Sequence, residues 1–254
     1  MLNKMEQNCK KCNEAFIGSY CNTCGLPAKL KRIDKHYVSH EIFHLFHLEK
    51  GFFYTVQEML IRPGESVREF IGENRSRLMK PLAFLILTAL IFTLTAYLTH
   101  ADKFINDQFN ILNKISKVYA AIINWLVIHH NYGNLVSGFF TALSCRFFLY
   151  RKKNYNFYEI IIMTCFIIGI TTLFLSVGNL FFGITKSQVM NSIVSIVALV
   201  YTTWAIRQFY FNGAKKVGSY FKAFFAYVFG QLLMHVFFIA VGIIADLIIK
   251  LFQH

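Results

Sequence analysis

The stretch that decides the fold is PLAFLILTALIFTLTAYL, residues 81–98, which contains no charged residue. A helix of this length rises about 27 Å, close to the ~30 Å hydrocarbon core of a bilayer. Pro81 suits the first turn of a helix, where the N–H that proline lacks has no partner anyway. The sequence therefore predicts a transmembrane helix here.

The rest of the chain extends this prediction. Of 254 residues, 56% are hydrophobic and only 15% are charged, a composition typical of membrane proteins. Long apolar segments recur after the first one, and four more can cross a bilayer, namely 135–150, 160–182, 189–206 and 221–249. We expect an α-helical integral membrane protein with about five transmembrane helices, a small four-cysteine zinc ribbon at residues 1–28 and amphipathic or interfacial cytoplasmic helices at 29–80.

The basic residues predict the orientation. Residues 1–80 and the two loops after the second and fourth segments hold 21 lysines and arginines, against 5 in the alternate loops. By the positive-inside rule the amino terminus is cytoplasmic, and the expected location is the bacterial inner membrane. This distribution along membrane-flanking loops also argues against a nucleic-acid partner, despite a net charge of +13.

A shorter apolar stretch, VYAAIINWLVI at 118–128, complicates the count. At eleven residues it is too short for an ordinary span, and counting it would move the following basic loop to the outside. We interpret it as part of an interfacial or re-entrant helix in the first external loop.

The last apolar segment carries polar residues on one helical face. Gln231, His235, Gly242 and Asp246 are separated by 4, 7 and 4 positions, so they point the same way. This pattern fits an intramembrane proton or ion pathway. It fits better a seam where polar and small residues pack against neighbouring helices. Thr88, Thr95 and Thr99 form a similar line, which we also interpret as packing.

The chain begins with a cysteine pattern, CKKCNEAFIGSYCNTC, in which Cys9, Cys12, Cys21 and Cys24 form two Cys-x-x-Cys pairs. Two such knuckles can hold one ion in a tetrahedral shell of four thiolates, which favours zinc over hard cations and over an iron–sulfur cluster. Because no apolar signal sequence precedes them, we expect a reducing compartment and a metal site rather than disulfides. Four thiolates leave no open position, so the zinc is expected to be structural; redox use of the thiols is the weaker alternative.

Histidines dominate the segment that follows. Asp34 and Gly51 can begin and end a helix whose histidines, His36, His40, His44 and His47, lie together away from its apolar face. They could bind a second metal or sense pH. The simplest interpretation is an amphipathic helix on the membrane or on the helical bundle.

A basic connection leads into the first span. Pro63 ends one helix, residues 65–71 can form another, and Gly72 can end it. Near the membrane this connection presents four basic side chains, which are candidate contacts to anionic lipid headgroups or simply determinants of topology: Arg68, Arg75, Arg77 and Lys80.

Across residues 9–90 the order of motifs resembles an uncharacterised bacterial family known only as a domain of unknown function. The resemblance is carried by the four cysteines with Phe16, Gly18, Tyr20 and Gly25, then by IRPGESVREFIGENRSRLMKPLAFLIL, and continues loosely through LYRKKNYNFYEIIIMTCF. It implies a zinc ribbon on a multi-helix membrane body, and it implies no reaction. The five-span layout is also similar, faintly, to Yip-family membrane proteins.

Three functions are compatible with these features. The first is a non-enzymatic membrane scaffold or adaptor, whose zinc ribbon docks an unidentified cytoplasmic protein. The second is a transporter, channel or pore-forming effector that uses the face with His235 and Asp246. The third, a membrane-embedded lipid enzyme, is the weakest, because no spacing pairs a nucleophile with a base. We expect no enzymatic activity, and the sequence is compatible with an oligomer.

Overall fold

The computed structural model describes residues 7–28, 51–99, 115–149, 155–211 and 217–252. The helix predicted over 34–51, with His36, His40, His44 and His47, lies outside the described residues. The amino-terminal part contains two short antiparallel strands, β1 (Gln7–Asn8) and β2 (Ala15–Phe16). In the described ranges after residue 51 the regular secondary structure is helical.

Eight helices follow in the described ranges. They are α1 (Phe52–Ile61), α2 (Pro63–Gly72), α3 (Pro81–Thr99), α4 (Lys117–Ile128), α5 (His130–Leu149), α6 (Phe157–Thr185), α7 (Gln188–Tyr210) and α8 (Gly218–Phe252). Local sequence accounts for several ends. Asn156 and Glu159 form a reciprocal capping box at the start of α6, and Pro63 occupies the first turn of α2, where a missing N–H is harmless.

Four of these helices are long and apolar enough to cross a membrane: α3, α6, α7 from Val189, and α8. They coincide with four of the five segments predicted to cross, and they make this a multi-pass membrane protein. The segment predicted at 135–150 lies within α5. This helix is long enough to cross, but it is not among the helices apolar enough by composition, since histidine, asparagine and serine side chains interrupt it. The predicted total of five spans therefore stays a prediction.

Helix α6 lies at the centre of the bundle, packed against α3, α5 and α7. Small residues let α3 approach it closely. A Cβ on Gly169 would overlap the ring of Phe84, and one on Gly183 would overlap Thr99. Thr88, Thr95 and Thr99 are buried in α3, and Asn179 of α6 donates to Thr95, which agrees with a packing role for this threonine line.

The main hydrophobic core joins the bundle to the helices that precede the first span. It includes Val67 and Phe70 of α2 together with Phe84, Phe166 and Phe209. The ring centroids of Phe70 and Phe166 are 5.4 Å apart in an edge-on arrangement. Helix α2 is thus part of the folded body rather than a separate surface helix.

Charged residues of the described bundle fall at its two ends. Arg146, Glu159, Arg207 and Lys222 lie at the end where α2 packs, and Lys117, Lys186, Asp246 and Lys250 lie at the opposite end. At 1.5 Å per residue, α6 and α8 run for about 40 Å and about 36 Å between charges. Both lengths exceed the ~30 Å hydrocarbon core, as a membrane-embedded bundle requires.

Candidate functional site

The four cysteines sit on two matching turns. The N–H of Cys9 donates to the Glu14 carbonyl and that of Cys21 to the Leu26 carbonyl, each at 2.8 Å. In both turns the residue after the second cysteine is left-handed, with φ of 60° at Asn13 and 71° at Gly25. Asparagine and glycine are the residues that adopt this conformation most readily, so the local sequence suits two metal knuckles.

These turns bring the four sulfurs into one cluster. All four Sγ atoms lie within 4.8 Å of one another, with 3.4 Å between Cys9 and Cys24 and 3.5 Å between Cys12 and Cys21. The shortest of these separations is well beyond the ~2.05 Å of a disulfide. A tetrahedral ion with ~2.3 Å bonds to sulfur places its ligands about 3.8 Å apart. The cluster therefore has the dimensions of a four-thiolate metal centre.

The electrostatics of the four thiols favour a bound cation. Hydrogen bonds from the backbone N–H groups of Cys12 and Lys11 help lower the pKa of Cys9 to about 6. The backbone at Glu14 lowers the pKa of Cys12, but burial and the neighbouring sulfurs outweigh it and raise that pKa to about 12. Thiols this close cannot all ionise unless a positive ion compensates them, so metal binding would release protons.

A very small core surrounds the metal ligands. Phe16 of β2 packs on Cys9 and Cys21, with Leu26 and Ala28 at its edge. Twenty-two described residues with one buried aromatic ring cannot offset their own conformational entropy. Metal binding is therefore expected to supply most of the folding free energy of the ribbon.

The polar face of α8 is divided between two neighbouring helices. Gln231 donates to Ser137 at 3.0 Å and to Thr141 at 2.9 Å, both on α5. His235 Nδ1 lies 3.0 Å from the hydroxyl of Tyr119 on α4. The predicted face exists, and its side chains pair across helix interfaces.

The far end of this face fixes the start of α4. Asp246 accepts a hydrogen bond from the N–H of Lys117 at 3.1 Å, and Ser116 caps the same helix by accepting from the N–H of Tyr119. A carboxylate at a helix N-terminus is stabilised by the unpaired N–H groups there. A Cβ on Gly242 would overlap Ser116 and Tyr119, so glycine permits this close approach. Helix α4, predicted as interfacial or re-entrant, lies against the second half of α8.

Helices α1 and α2 form a hairpin that docks on the second half of α7. The N–H of Gly64 donates to Gln208 Oε1 at 2.7 Å, and Tyr201 donates to the Met59 carbonyl at 2.8 Å. Arg68 donates to the carbonyls of Gln208 and Phe209 at 2.5 and 3.1 Å. A cation on the last carbonyls of a helix is favourable for the same reason that an anion is at its start.

A compact ion-pair network links the two helices of this hairpin to the connection that follows them. Arg62 bonds Glu58 at 2.9 Å and Glu69 at 3.2 Å. Arg77 reaches the same two carboxylates, at 3.3 Å from Glu58 and closer to Glu69, and donates to the hydroxyl of Tyr54. Each arginine thus bridges both glutamates, which joins α1, α2 and the connection to α3.

The network sets the ionisation of Glu58. Burial alone would raise the pKa of this carboxyl, but the hydroxyl of Ser66 and the charges of Arg62 and Arg77 lower it below its ordinary value. The charged form is therefore the one that the fold stabilises.

The four basic residues proposed to contact lipid headgroups occupy different settings. Arg68 and Arg77 bond protein atoms as described above. Arg75 donates to the Ile71 carbonyl at 3.4 Å, and Lys80 is half-buried beside the start of α3. The headgroup contacts stay a prediction for all four.

The hairpin lies within a segment of the chain that matches a known protein family. A family model described as a protein of unknown function, DUF3667, matches residues 49–93. No curated protein and no solved structure matches the chain. The resemblance to a family of unknown function is confirmed for this segment, and neither a bacterial origin nor a likeness to Yip-family proteins is tested by it.

The matched segment covers α1, α2 and most of α3, and it begins after the cysteine cluster, which it does not include. It contains Gly64, Arg68 and the whole ion-pair network, so the similarity to the family lies in the docked hairpin and the first span. Sequence reasoning missed this network. One signal was present, because Glu58 and Arg62 stand at i and i+4, the spacing of a helical ion pair.

Proposed function

We propose that this chain is a non-enzymatic adaptor anchored in the bacterial cytoplasmic membrane, whose zinc ribbon presents a docking surface to a cytoplasmic protein. The observation that carries the proposal is the four-sulfur cluster on a separate small fold, next to a multi-helix membrane body. Four thiolates would fill the shell of one structural Zn²⁺, and this ion would hold the ribbon in shape.

The surface of the ribbon supports a docking role. Ile17 and Tyr20 follow β2, and their side chains are 54% and 64% exposed. Tyrosine is enriched among the residues that contribute most of the binding energy in protein interfaces. Lys10 and Lys11 add positive charge to the ribbon. The only ion pair between ribbon and body among the described residues, Lys10 with Glu73 at 3.7 Å, is solvent-exposed and contributes little.

The proposed topology places the amino terminus in the cytoplasm and has five crossings. Helix α5 is long enough as a whole, but its part from His130 to the basic side chain of Arg146 runs only about 24 Å, short of the ~30 Å core. Helix α4 precedes it with a break at His129 alone, and both pack along α8. We therefore assign the second crossing to α4 and α5 together, as one interrupted helix that replaces the single span expected at 135–150.

Photo-crosslinking in intact cells tests the adaptor role. We would place p-benzoylphenylalanine at Tyr20 in the full chain and, as a matched control, at Tyr97 of α3, which is 72% exposed. The expected result is a discrete protein adduct at position 20 that is absent at position 97 and lost when Cys12→Ser removes one metal ligand. No adduct at position 20, or an adduct that persists in Cys12→Ser, would contradict the proposal.

The alternative of a transporter, channel or pore-forming effector has weaker support. A conduction path needs polar groups that face a common space. Gln231, His235 and Asp246 instead bond partners on α5 and α4. Flux into proteoliposomes that changes in His235→Ala and Asp246→Asn would favour this alternative.

A further inference from the structure

Helix α1 is apolar on both of its faces. Thr55 and Met59 lie on the inner face and are fully buried against the bundle. On the opposite face Phe53, Leu60 and Ile61 are 86%, 41% and 63% exposed. A helix whose outer face meets water normally presents polar side chains there, so this exposure requires an explanation.

The exposed side chains form one continuous surface. Positions 53, 57, 60 and 61 follow the i, i+4, i+7, i+8 spacing of a single helical face. Gln57 is the only polar residue among them. The one charged residue of α1, Glu58, points to the ion-pair network instead. The outer face of α1 is therefore uncharged along the whole helix.

Two contacts fix the level of α1 in the molecule. The ring of Phe52 lies 5.7 Å from that of Phe84, which belongs to the first turn of α3. Thr55 accepts a hydrogen bond from the N–H of Met79 at 2.8 Å, just before α3 begins. Helix α1 thus lies beside the entrance of a candidate span and next to the charged network that must stay outside the hydrocarbon.

We propose that the outer face of α1, formed by Phe53, Leu60 and Ile61, lies in the boundary between lipid headgroups and acyl chains. Lipid is the occupant that the level of α1 favours, because any bilayer crossed by α3 has this boundary at the first turn of α3. An apolar helix face enters it by about 5–10 Å. The aromatic ring of Phe53 and the two aliphatic side chains suit that depth, while Glu58 and the arginines remain on the aqueous side. This inference rests on the membrane location proposed above.

Depth-dependent quenching by brominated phospholipids tests the proposal on the full chain in liposomes. The native tryptophans are replaced in a Trp125→Phe, Trp204→Phe background, and one reporter is introduced at a time. Phe53→Trp and Ile61→Trp report on the proposed face. Leu94→Trp, on the exposed side of α3, marks the bilayer interior, and Glu65→Trp, at a charged and 51% exposed side chain, marks water.

The expected result is that lipids brominated near the carbonyl end of the chain quench both face reporters more strongly than lipids brominated near the methyl end. Leu94→Trp should show the opposite order, and Glu65→Trp should show little quenching with either. Quenched Leu94→Trp with unquenched Phe53→Trp and Ile61→Trp would overturn the proposal while leaving the membrane location intact. Emission of the face reporters that depends on the protein-to-lipid ratio would instead assign the face to a second copy, and would also overturn it. Unquenched Leu94→Trp would refute the membrane location itself.

Discussion

The docking of the hairpin on α7 predicts that Gly64 tolerates no side chain. A Cβ at this position would overlap backbone atoms of Gln208 and Phe209, which cannot move aside as a flexible side chain could. Overpacking of this kind costs about 1–3 kcal/mol. If α2 shifts to relieve the overlap, the bonds from Gly64 to Gln208 and from Arg68 to the end of α7 lengthen, at about 1 kcal/mol each.

We therefore expect Gly64→Ala to destabilise the protein by about 3–5 kcal/mol. For a chain of this size each kcal/mol shifts the unfolding midpoint by about 2–4 °C, so the loss is roughly 6–20 °C. The measurement is thermal unfolding of the purified protein in detergent, followed by far-UV circular dichroism, which reports the helical body. A large decrease is expected although a single methyl group is added.

Gly72→Ala is the matched control. It lies in the same helix, it has no atom within 4 Å of the added Cβ, and its backbone needs no positive φ. Alanine there should leave the midpoint unchanged or slightly raise it, because glycine is the poorer helix former. Equal midpoints for the two variants would refute the close approach of α2 to α7.

Three further predictions follow from the charged and polar contacts. Because the pKa of Glu58 is lowered in the folded state, its stabilising contribution is present above the ordinary glutamate pKa of about 4.3 and is lost as pH falls through the folded value. Glu58→Gln should therefore lower the unfolding midpoint at neutral pH and make the midpoint depend less on pH in acid. An unchanged dependence on pH in acid would count against the network. Tyr119→Phe and His235→Phe should each destabilise the body by about 1 kcal/mol, and the double variant should cost less than the sum of the two. Strict additivity in denaturant titrations would mean that the 3.0 Å contact between the Tyr119 hydroxyl and His235 Nδ1 is not formed. Chelation of the metal should make residues 7–28 sensitive to protease while the helical signal persists, and a ribbon that stays protected without metal would contradict its dependence on the ion.

The sequence sufficed for the elements whose cause is local. Helices α6 and α8 follow from long uncharged segments, and each cysteine knuckle follows from its own spacing with Asn13 or Gly25 behind it. In these cases the physical requirement, an apolar length or a residue that adopts a left-handed conformation, is met by neighbouring positions of the sequence.

Other features depend on contacts between residues far apart in the sequence, and no local pattern predicts them. In the sequence Gly64 looks like part of a turn. In the structure its lack of a side chain lets α7 pack closely, and the contact residue Gln208 lies 144 positions away. Arg77 is expected from its position to flank the membrane, and the structure also shows it bonded to two glutamates of the hairpin. The partner of His235 is Tyr119, in a stretch that the sequence predicted as an interfacial or re-entrant helix without indicating this contact. In each case tertiary packing decided a role that composition left open.

Metal content is the measurement that tests the central claim most directly. The full chain, purified in detergent without added metal, should contain about one equivalent of zinc per chain, with Cys9, Cys12, Cys21 and Cys24 protected from alkylation until a chelator is added. The variant Cys12→Ser should lose most of the metal and keep its helical body. Less than about half an equivalent of zinc, together with freely reactive thiols at these four positions, would contradict the account.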